Sequence, residues 1–225
     1  MRIAIIGGSF NPLHIGHAML ADTAVTELGF DWVLFVPTFI PPHKSLNGDV
    51  SPSQRLELVR RFCDAEGGGI FAAEDCEIVR GGVSYTSDTL AFILEKYGPR
   101  LDGKPAFILG EEVAAEFGKW HRADYVADHA ELLVARRHPE RNNVDSSGFR
   151  NSPSGGYAGD FGAEFSPETF RWKFRFLENP VLPVSSTEIR ARAASGKSFR
   201  YLVPGAVFEY IVSEKLYAGR PVSAE

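Results

Sequence analysis

Residues 2–6, RIAII, form a short, nearly all-apolar run that stops at Gly7-Gly8, which suits a strand buried on both faces. Helical spacing follows at once over 16–28 (GHAMLADTAVTEL), closed by Gly29. The alternation then repeats. DWVLFVP (31–37) reads as a strand, and SPSQRLELVRRFCDA (51–65) as a helix with Ser51 as cap and Pro52 at its first position. IFAAEDCEI (70–78) reads as a strand, TSDTLAFILEKYG (86–98) as a helix, PAFILG (105–110) as a strand, 111–128 as a helical stretch and ELLVARR (131–137) as a strand. Strands that alternate with helices need right-handed crossovers, so the expected fold is α/β, a doubly wound and mostly parallel sheet.

The alternation lapses over 138–168, which is rich in Gly, Ser, Pro and Asn and has no sustained period; a long, mobile loop is expected there. TFRWKFRFL (169–177) reads as a strand, and 184–195 and 204–217 as helices. This divides the chain into an α/β domain over 1–183 and a small C-terminal helical part over 184–225. At 225 residues with 44% apolar and 24% charged residues, the chain can bury roughly 70% of its unfolded surface. The net charge of −5 carries no long block of either sign, which argues against a nucleic-acid tail or a polybasic membrane anchor, so an anionic ligand must be held by local groups. Cys63 and Cys76 form no CxxC or Cys/His pattern, and no run approaches a membrane span or a signal-peptide core. A soluble, unprocessed, cytoplasmic protein is expected, with homo-oligomerisation left open.

In an open parallel sheet, ligands bind beyond the carboxyl ends of the strands. There the chain places GGSFNPLHIGH (7–17). Glycine lets backbone N–H groups approach phosphates, and the following helix N-terminus adds partial positive charge. The loop is neither GxGxxG nor GxxxxGK[ST], which weakens a hydride-transfer cofactor and a phosphate-loop NTPase alike. His14 and His17, three apart, can project to one side and donate to phosphoryl oxygens. One capping and one buried histidine is the plainer alternative; a metal site would need ligands that the sequence does not place nearby. Gly16 between them costs helix stability, so something bulky is expected to lie against that turn.

VSSTEIR (184–190) opens a second helix with hydroxyls that can cap it, and these hydroxyls with free N–H groups and the Arg190 guanidinium also make a competent polyphosphate site. GGSFNPLHIGH resembles the signature of the nucleotidyltransferase superfamily with an [HT]xGH motif, and the SSTEIR segment, about 170 residues later, resembles its triphosphate-gripping motif. Class I aminoacyl-tRNA synthetases share the HIGH string, but they are longer and no KMSKS-like segment is present. The resemblance implies a Rossmann-like fold and release of pyrophosphate from a nucleoside triphosphate. It also implies His14, His17 and Arg190 as catalytic residues. ATP would be bound by Gly7, Gly8, Ser9, Phe10, Gly110, Arg137, Ser186 and Thr187 together with those three.

Over nearly the whole chain the remaining segments resemble the bacterial nicotinate-nucleotide adenylyltransferases. PPHKS (41–45) offers His43 and Lys44 to a phosphate, SYTSDTL (84–90) offers Tyr85 and Thr86 to a pyridine carboxylate, and Trp120 matches a ring-stacking tryptophan. Thr86 or Ser87 as an ordinary helix cap, and Trp120 as core, are the plainer alternatives. The chain departs from the pattern at LGEEV, where Glu112 stands in place of the family's aspartate, and Arg136-Arg137 resembles its adenine-side pair. The implied partners are ATP, with magnesium carried on it rather than by protein ligands, and nicotinate mononucleotide. Another phosphorylated acceptor, such as nicotinamide mononucleotide or phosphopantetheine, and a non-catalytic nucleotide-binding or NAD-sensing module are the alternatives.

Overall fold

The N-terminal apolar run becomes the central strand of a six-stranded sheet in a computed structural model that describes residues 1–42, 50–136 and 165–218. Strand β1 (Ile3–Gly8) runs two residues beyond RIAII, because Gly7 and Gly8 pair with Val36 and Pro37 of β2 (Trp32–Pro37). The other strands are β3 (Phe71–Ala73), β4 (Ala106–Gly110), β5 (Glu131–Ala135) and β6 (Phe174–Leu177). Their order is β3-β2-β1-β4-β5-β6, with every pairing parallel. The order reverses between β1 and β4, which opens a crevice at their carboxyl ends. This is the Rossmann-like α/β sheet expected.

Helices α1 (Ile15–Thr26), α2 (Pro52–Glu66), α3 (Cys76–Arg80), α4 (Thr86–Tyr97), α5 (Glu111–Ala115), α6 (Ala123–His129), α7 (Ser186–Ala194) and α8 (Gly205–Ser213) surround it. Alternate residues of the strands point to opposite faces. Ala4, Ile6, Val33 and Phe35 pack with Ala21 of α1, Leu58 and Phe62 of α2, and Val207 and Ile211 of α8. Ile3, Ile5, Leu34 and Val36 pack with Leu90 and Ile93 of α4, Val126 of α6 and Phe117. None of these eight strand residues is more than 3% exposed. Each large one contributes about 1.5–3 kcal/mol, which is why a continuous apolar run was needed. Ser51 and Pro52 begin α2 as expected, with the Gln54 N–H donating to Ser51 Oγ at 3.2 Å.

Four expected elements are shorter or broken. The strand over 70–78 ends at Ala73, because Glu74 turns inward, 3% exposed, to accept from Lys96 Nζ at 2.8 Å and Tyr97 Oη at 2.6 Å; α3 follows. The helix over 111–128 is α5, a turn at Phe117–Lys119 and α6; fully buried Phe117 pins the turn, and Arg122 takes a left-handed φ of 54° before α6. Of 169–177 only β6 is strand, since Phe170 folds back on Ser166 and Trp172 Nε1 donates to Asp124. The helix over 204–217 stops at Ser213; Lys215 turns left-handed, φ 53°, and the Leu216 N–H reaches back to the Ile211 carbonyl at 2.9 Å. Most of the loop expected over 138–168 lies outside the described residues. Cys63 and Cys76 are free and buried, and no described helix is long and apolar enough to cross a membrane.

Candidate active site

The carboxyl end of β1 leaves Gly7 exposed in the middle of the sheet. A Cβ there would stand 3.3 Å from the Phe107 ring of β4, so the glycine keeps strand and neighbour in close contact. The chain then passes through Ser9 and the buried Phe10, at a left-handed φ of 43°, to His14, the N-cap residue of α1. His14 is 5% exposed and its ring stacks on that of His17 at 3.8 Å. The His14 N–H donates to His17 Nδ1 at 3.2 Å. That bond leaves the proton of a neutral His17 on Nε2, so the outer nitrogen is the donor. Phe10 meets the His17 ring edge-on at 5.1 Å. Both readings of the pair therefore meet here: the histidines do cap and pack, and the same bonds fix the direction of a proton donor.

The bulky group expected against Gly16 is His14 itself together with Val184. A Cβ on Gly16 would stand 3.0 Å from His14 Cε1 and Nδ1 and 3.1 Å from Val184 Cγ1. Val184 opens the second motif, so the two motifs touch at this glycine. Ser185 is the N-cap of α7, accepting from the Glu188 N–H at 3.2 Å. That frees Ser186 Oγ to donate to the Pro12 carbonyl at 2.9 Å, 174 residues away in sequence. Arg190 Nη1 donates to the Asn11 carbonyl at 2.8 Å, and its Nη2 to Thr187 Oγ1 at 3.3 Å. Thr187 is exposed at the helix start and Arg190 is half-buried.

On the far side of β1, Gly110 is the N-cap of α5, with Glu111 and Glu112 in its first turn and Glu112 half-buried. Trp120 packs against Phe107 at 6.3 Å and Phe117 at 5.0 Å, so one face of the indole belongs to the core that reaches Gly7 through Phe107. Tyr85, not Thr86 or Ser87, is the N-cap of α4, and it makes no side-chain cap; Thr86 is the first helical residue. The Tyr85 ring lies 4.6 Å from that of His121, which joins the SYTSDTL segment to the Trp120 turn. Arg136 lies over Phe176 at 4.2 Å, and its backbone is paired with Asn179. His43, Lys44 and Arg137 lie outside the described residues.

Three residues that sequence reasoning missed complete this region. Arg55, fully buried, donates to the Ser9 carbonyl at 2.8 Å and the Phe39 carbonyl at 3.1 Å. Its signal was present: Arg55 occupies the face of α2 that carries Leu58, Val59 and Phe62. Tyr217 Oη donates to Asn11 Oδ1 at 2.7 Å from 206 residues away, and burial pushes its hydroxyl well above the ordinary tyrosine range. Nothing in the sequence distinguished it. His121 stood beside Trp120 unread. The Ser9–Pro12 loop is thus held by α2, α7 and the residues after α8.

Among the described residues no group of three His, Cys, Asp or Glu side chains is arranged to hold a metal ion. What the arrangement offers is donors for a polyanion: exposed backbone at Gly7, an imidazole, hydroxyls and a guanidinium, converging where the sheet order reverses.

A sequence model described as cytidylyltransferase-like matches residues 5–192. A protein of Treponema pallidum (strain Nichols), named probable nicotinate-nucleotide adenylyltransferase, is 38% identical over 217 residues, covering 96% of this chain and 99% of its own. A Salinibacter ruber protein of the same name is 34% identical over 217 residues, covering 96% and 98%. Among solved structures, the nicotinic acid mononucleotide adenylyltransferase of Plasmodium falciparum complexed with NaAD superposes with a TM-score of 0.69. It shows 17% identity and covers 96% of this chain and 97% of its own, a likeness of fold. The segment matched by the sequence model carries both the histidine loop and the Ser186–Arg190 helix that closes on it, and the chain belongs to the cytidylyltransferase-like family.

Proposed function

We propose that this protein is a nicotinate-nucleotide adenylyltransferase, transferring AMP from ATP to nicotinate mononucleotide and releasing nicotinate adenine dinucleotide and pyrophosphate. The observation that carries the reading is the union of the two motifs: Ser186 and Arg190 bond to the Pro12 and Asn11 carbonyls of the loop that presents His14 and His17. The relatives at 38% and 34% identity, both named for this activity, point to the same acceptor.

In this reading a phosphate oxygen of the mononucleotide attacks the α-phosphorus of ATP in line. One oxygen–phosphorus bond forms as the bond to the bridging oxygen breaks, and no protein nucleophile takes part. The protein's work is positioning and charge stabilisation. His17 Nε2–H and the His14 ring meet the α-phosphate, where negative charge builds up, and the Gly7–Phe10 backbone, Gly110 and Arg137 hold the nucleotide. Ser186, Thr187 and Arg190 receive the departing pyrophosphate; Arg190 divides its donors between that task and the Asn11 carbonyl. His43, Lys44, Tyr85, Thr86, Glu112 and Trp120 are assigned to binding the mononucleotide. Magnesium, when bound, neutralises the triphosphate; this donor set fits an ion carried on the phosphates. A cytoplasmic setting accords with a substrate pair of soluble nucleotides.

The test is pyrophosphate release with ATP and each of nicotinate mononucleotide, nicotinamide mononucleotide and phosphopantetheine in parallel. The proposal expects the highest kcat/KM with nicotinate mononucleotide. Equal or greater efficiency with another acceptor overturns the acceptor assignment, and silence with all of them favours a nucleotide-binding module.

A further inference from the structure

Arg55 is an arginine with no exposed surface on a helix face otherwise made of Leu58, Val59 and Phe62. Removing a guanidinium from water is costly, and a buried ion is often no more stabilising than an apolar side chain of similar volume. Burial draws its pKa below the ordinary arginine range, opposed by the nearby Tyr217 and Glu77. Its Nε finds no hydrogen-bond partner among the described residues. Packing alone gives no reason for an arginine here; the two carbonyls it holds do.

Those carbonyls belong to different sides of the site. Nη1 donates to Ser9, in the loop that leads to His14 and His17, at 2.8 Å. Nη2 donates to Phe39, on the segment that leaves β2, at 3.1 Å. The Phe39 N–H in turn donates to Ser84 Oγ at 3.0 Å, and the Ser84 N–H donates to the Ile40 carbonyl at 2.9 Å. Ser84 directly precedes Tyr85, the N-cap of α4, and Thr89 of that helix donates to the buried Glu77 carboxylate. One planar guanidinium therefore links the histidine loop to the start of the SYTSDTL helix.

Resting on the reading that ATP and the mononucleotide occupy these two sides, we propose that Arg55 is a positioning residue that sets the spacing between the two substrates. By fixing the Ser9 carbonyl against the Phe39–Ser84 pair, it holds the attacking phosphate in line with the α-phosphorus. The planar fork of arginine reaches two carbonyls at once, whereas a lysine ammonium is a single point charge.

The test compares wild type, Arg55→Lys, Ser84→Ala and the double variant by pyrophosphate release, ATP titration calorimetry and thermal melting. Misplacement by about 1 Å costs on the order of 100-fold in rate. The expected result for each single variant is a kcat lowered about 10- to 100-fold, with KM for both substrates and ATP affinity within about threefold of wild type. The double variant should fall no more than about twofold further, because the same link is already broken. Unchanged kcat in Arg55→Lys, a loss confined to KM, or failure of both single variants to fold would overturn the proposal, the last by making the link a fold anchor. A wild-type protein silent with every acceptor would instead overturn the proposed activity, and it is read before any variant.

Discussion

Gly16→Ala probes the point where the two motifs touch. The added Cβ would stand 3.0 Å from two atoms of the His14 ring and 3.1 Å from Val184 Cγ1, where carbon contacts prefer about 3.5–4.0 Å. The overlap of roughly 0.5 Å has little room to relax. His14 is 5% exposed and its ring is stacked on His17 at 3.8 Å, so displacing the ring disturbs the stacked pair. A shift of a few tenths of an ångström in a reacting pair corresponds to about a 5- to 10-fold fall in kcat, taking about 100-fold per ångström as the scale. Stability moves less, because alanine favours the helix by up to about 1 kcal/mol while overpacking costs about 1–3 kcal/mol. With the full helix gain taken, the net loss of at most about 2 kcal/mol lowers Tm by no more than about 4–8 °C. The assay is steady-state pyrophosphate release at saturating ATP and nicotinate mononucleotide, beside calorimetric melting. A wild-type kcat would refute the claim that the packing of this glycine sets the histidine geometry.

Three further outcomes follow from buried groups. Tyr217→Phe leaves Asn11 Oδ1, on a residue 4% exposed, without its 2.7 Å donor; it should destabilise the fold by about 1–3 kcal/mol in chemical denaturation, and an unchanged midpoint would show that the C-terminal contact holds nothing. Burial raises the Glu77 pKa above its ordinary value near 4.5, outweighing the Thr89 hydrogen bond that lowers it. A raised folded-state pKa means that its contribution is fully present below the unfolded value and is lost as pH rises through the folded one. Glu77→Gln should therefore gain in Tm relative to wild type as pH rises from about 4 to 7, and a difference that is flat with pH contradicts this. Burial pushes both cysteine thiols up to about 12, so iodoacetamide at neutral pH should label Cys63 and Cys76 only as fast as the protein unfolds; prompt labelling of the native protein would contradict their burial.

What the sequence made legible was whatever depends on local pattern. RIAII and DWVLFVP announce strands because both faces of the sheet are covered, and Ser51-Pro52 announces α2 because a helix start has its own chemistry. The same holds for the histidine loop and Ser186–Arg190, whose types and order point to phosphate before any geometry is known. What could not be read depends on contacts between distant residues. β3 ends early because Glu74 finds Lys96 and Tyr97, and the 111–128 helix breaks because Phe117 is drawn into an aromatic cluster with Phe170 and Trp172. The loop's supports were missed for the same reason. Tyr217 looks like any tyrosine near a terminus until it is placed on Asn11, and Arg55 breaks the apolar stripe of α2 for a reason visible only when Ser9 and Phe39 are brought together.

His17→Ala tests the central claim, that the histidine pair over the end of β1 promotes adenylyl transfer from ATP. His17 is half-buried at the first turn of α1 and accepts the His14 N–H there, so its truncation should cost about 0.5–2 kcal/mol, as the loss of a helix cap does, and leave the protein folded. Loss of one preorganised donor raises the barrier by about 3 kcal/mol or more, so turnover with nicotinate mononucleotide should fall about 100-fold or more. Near-normal pyrophosphate release from the folded variant would contradict the account.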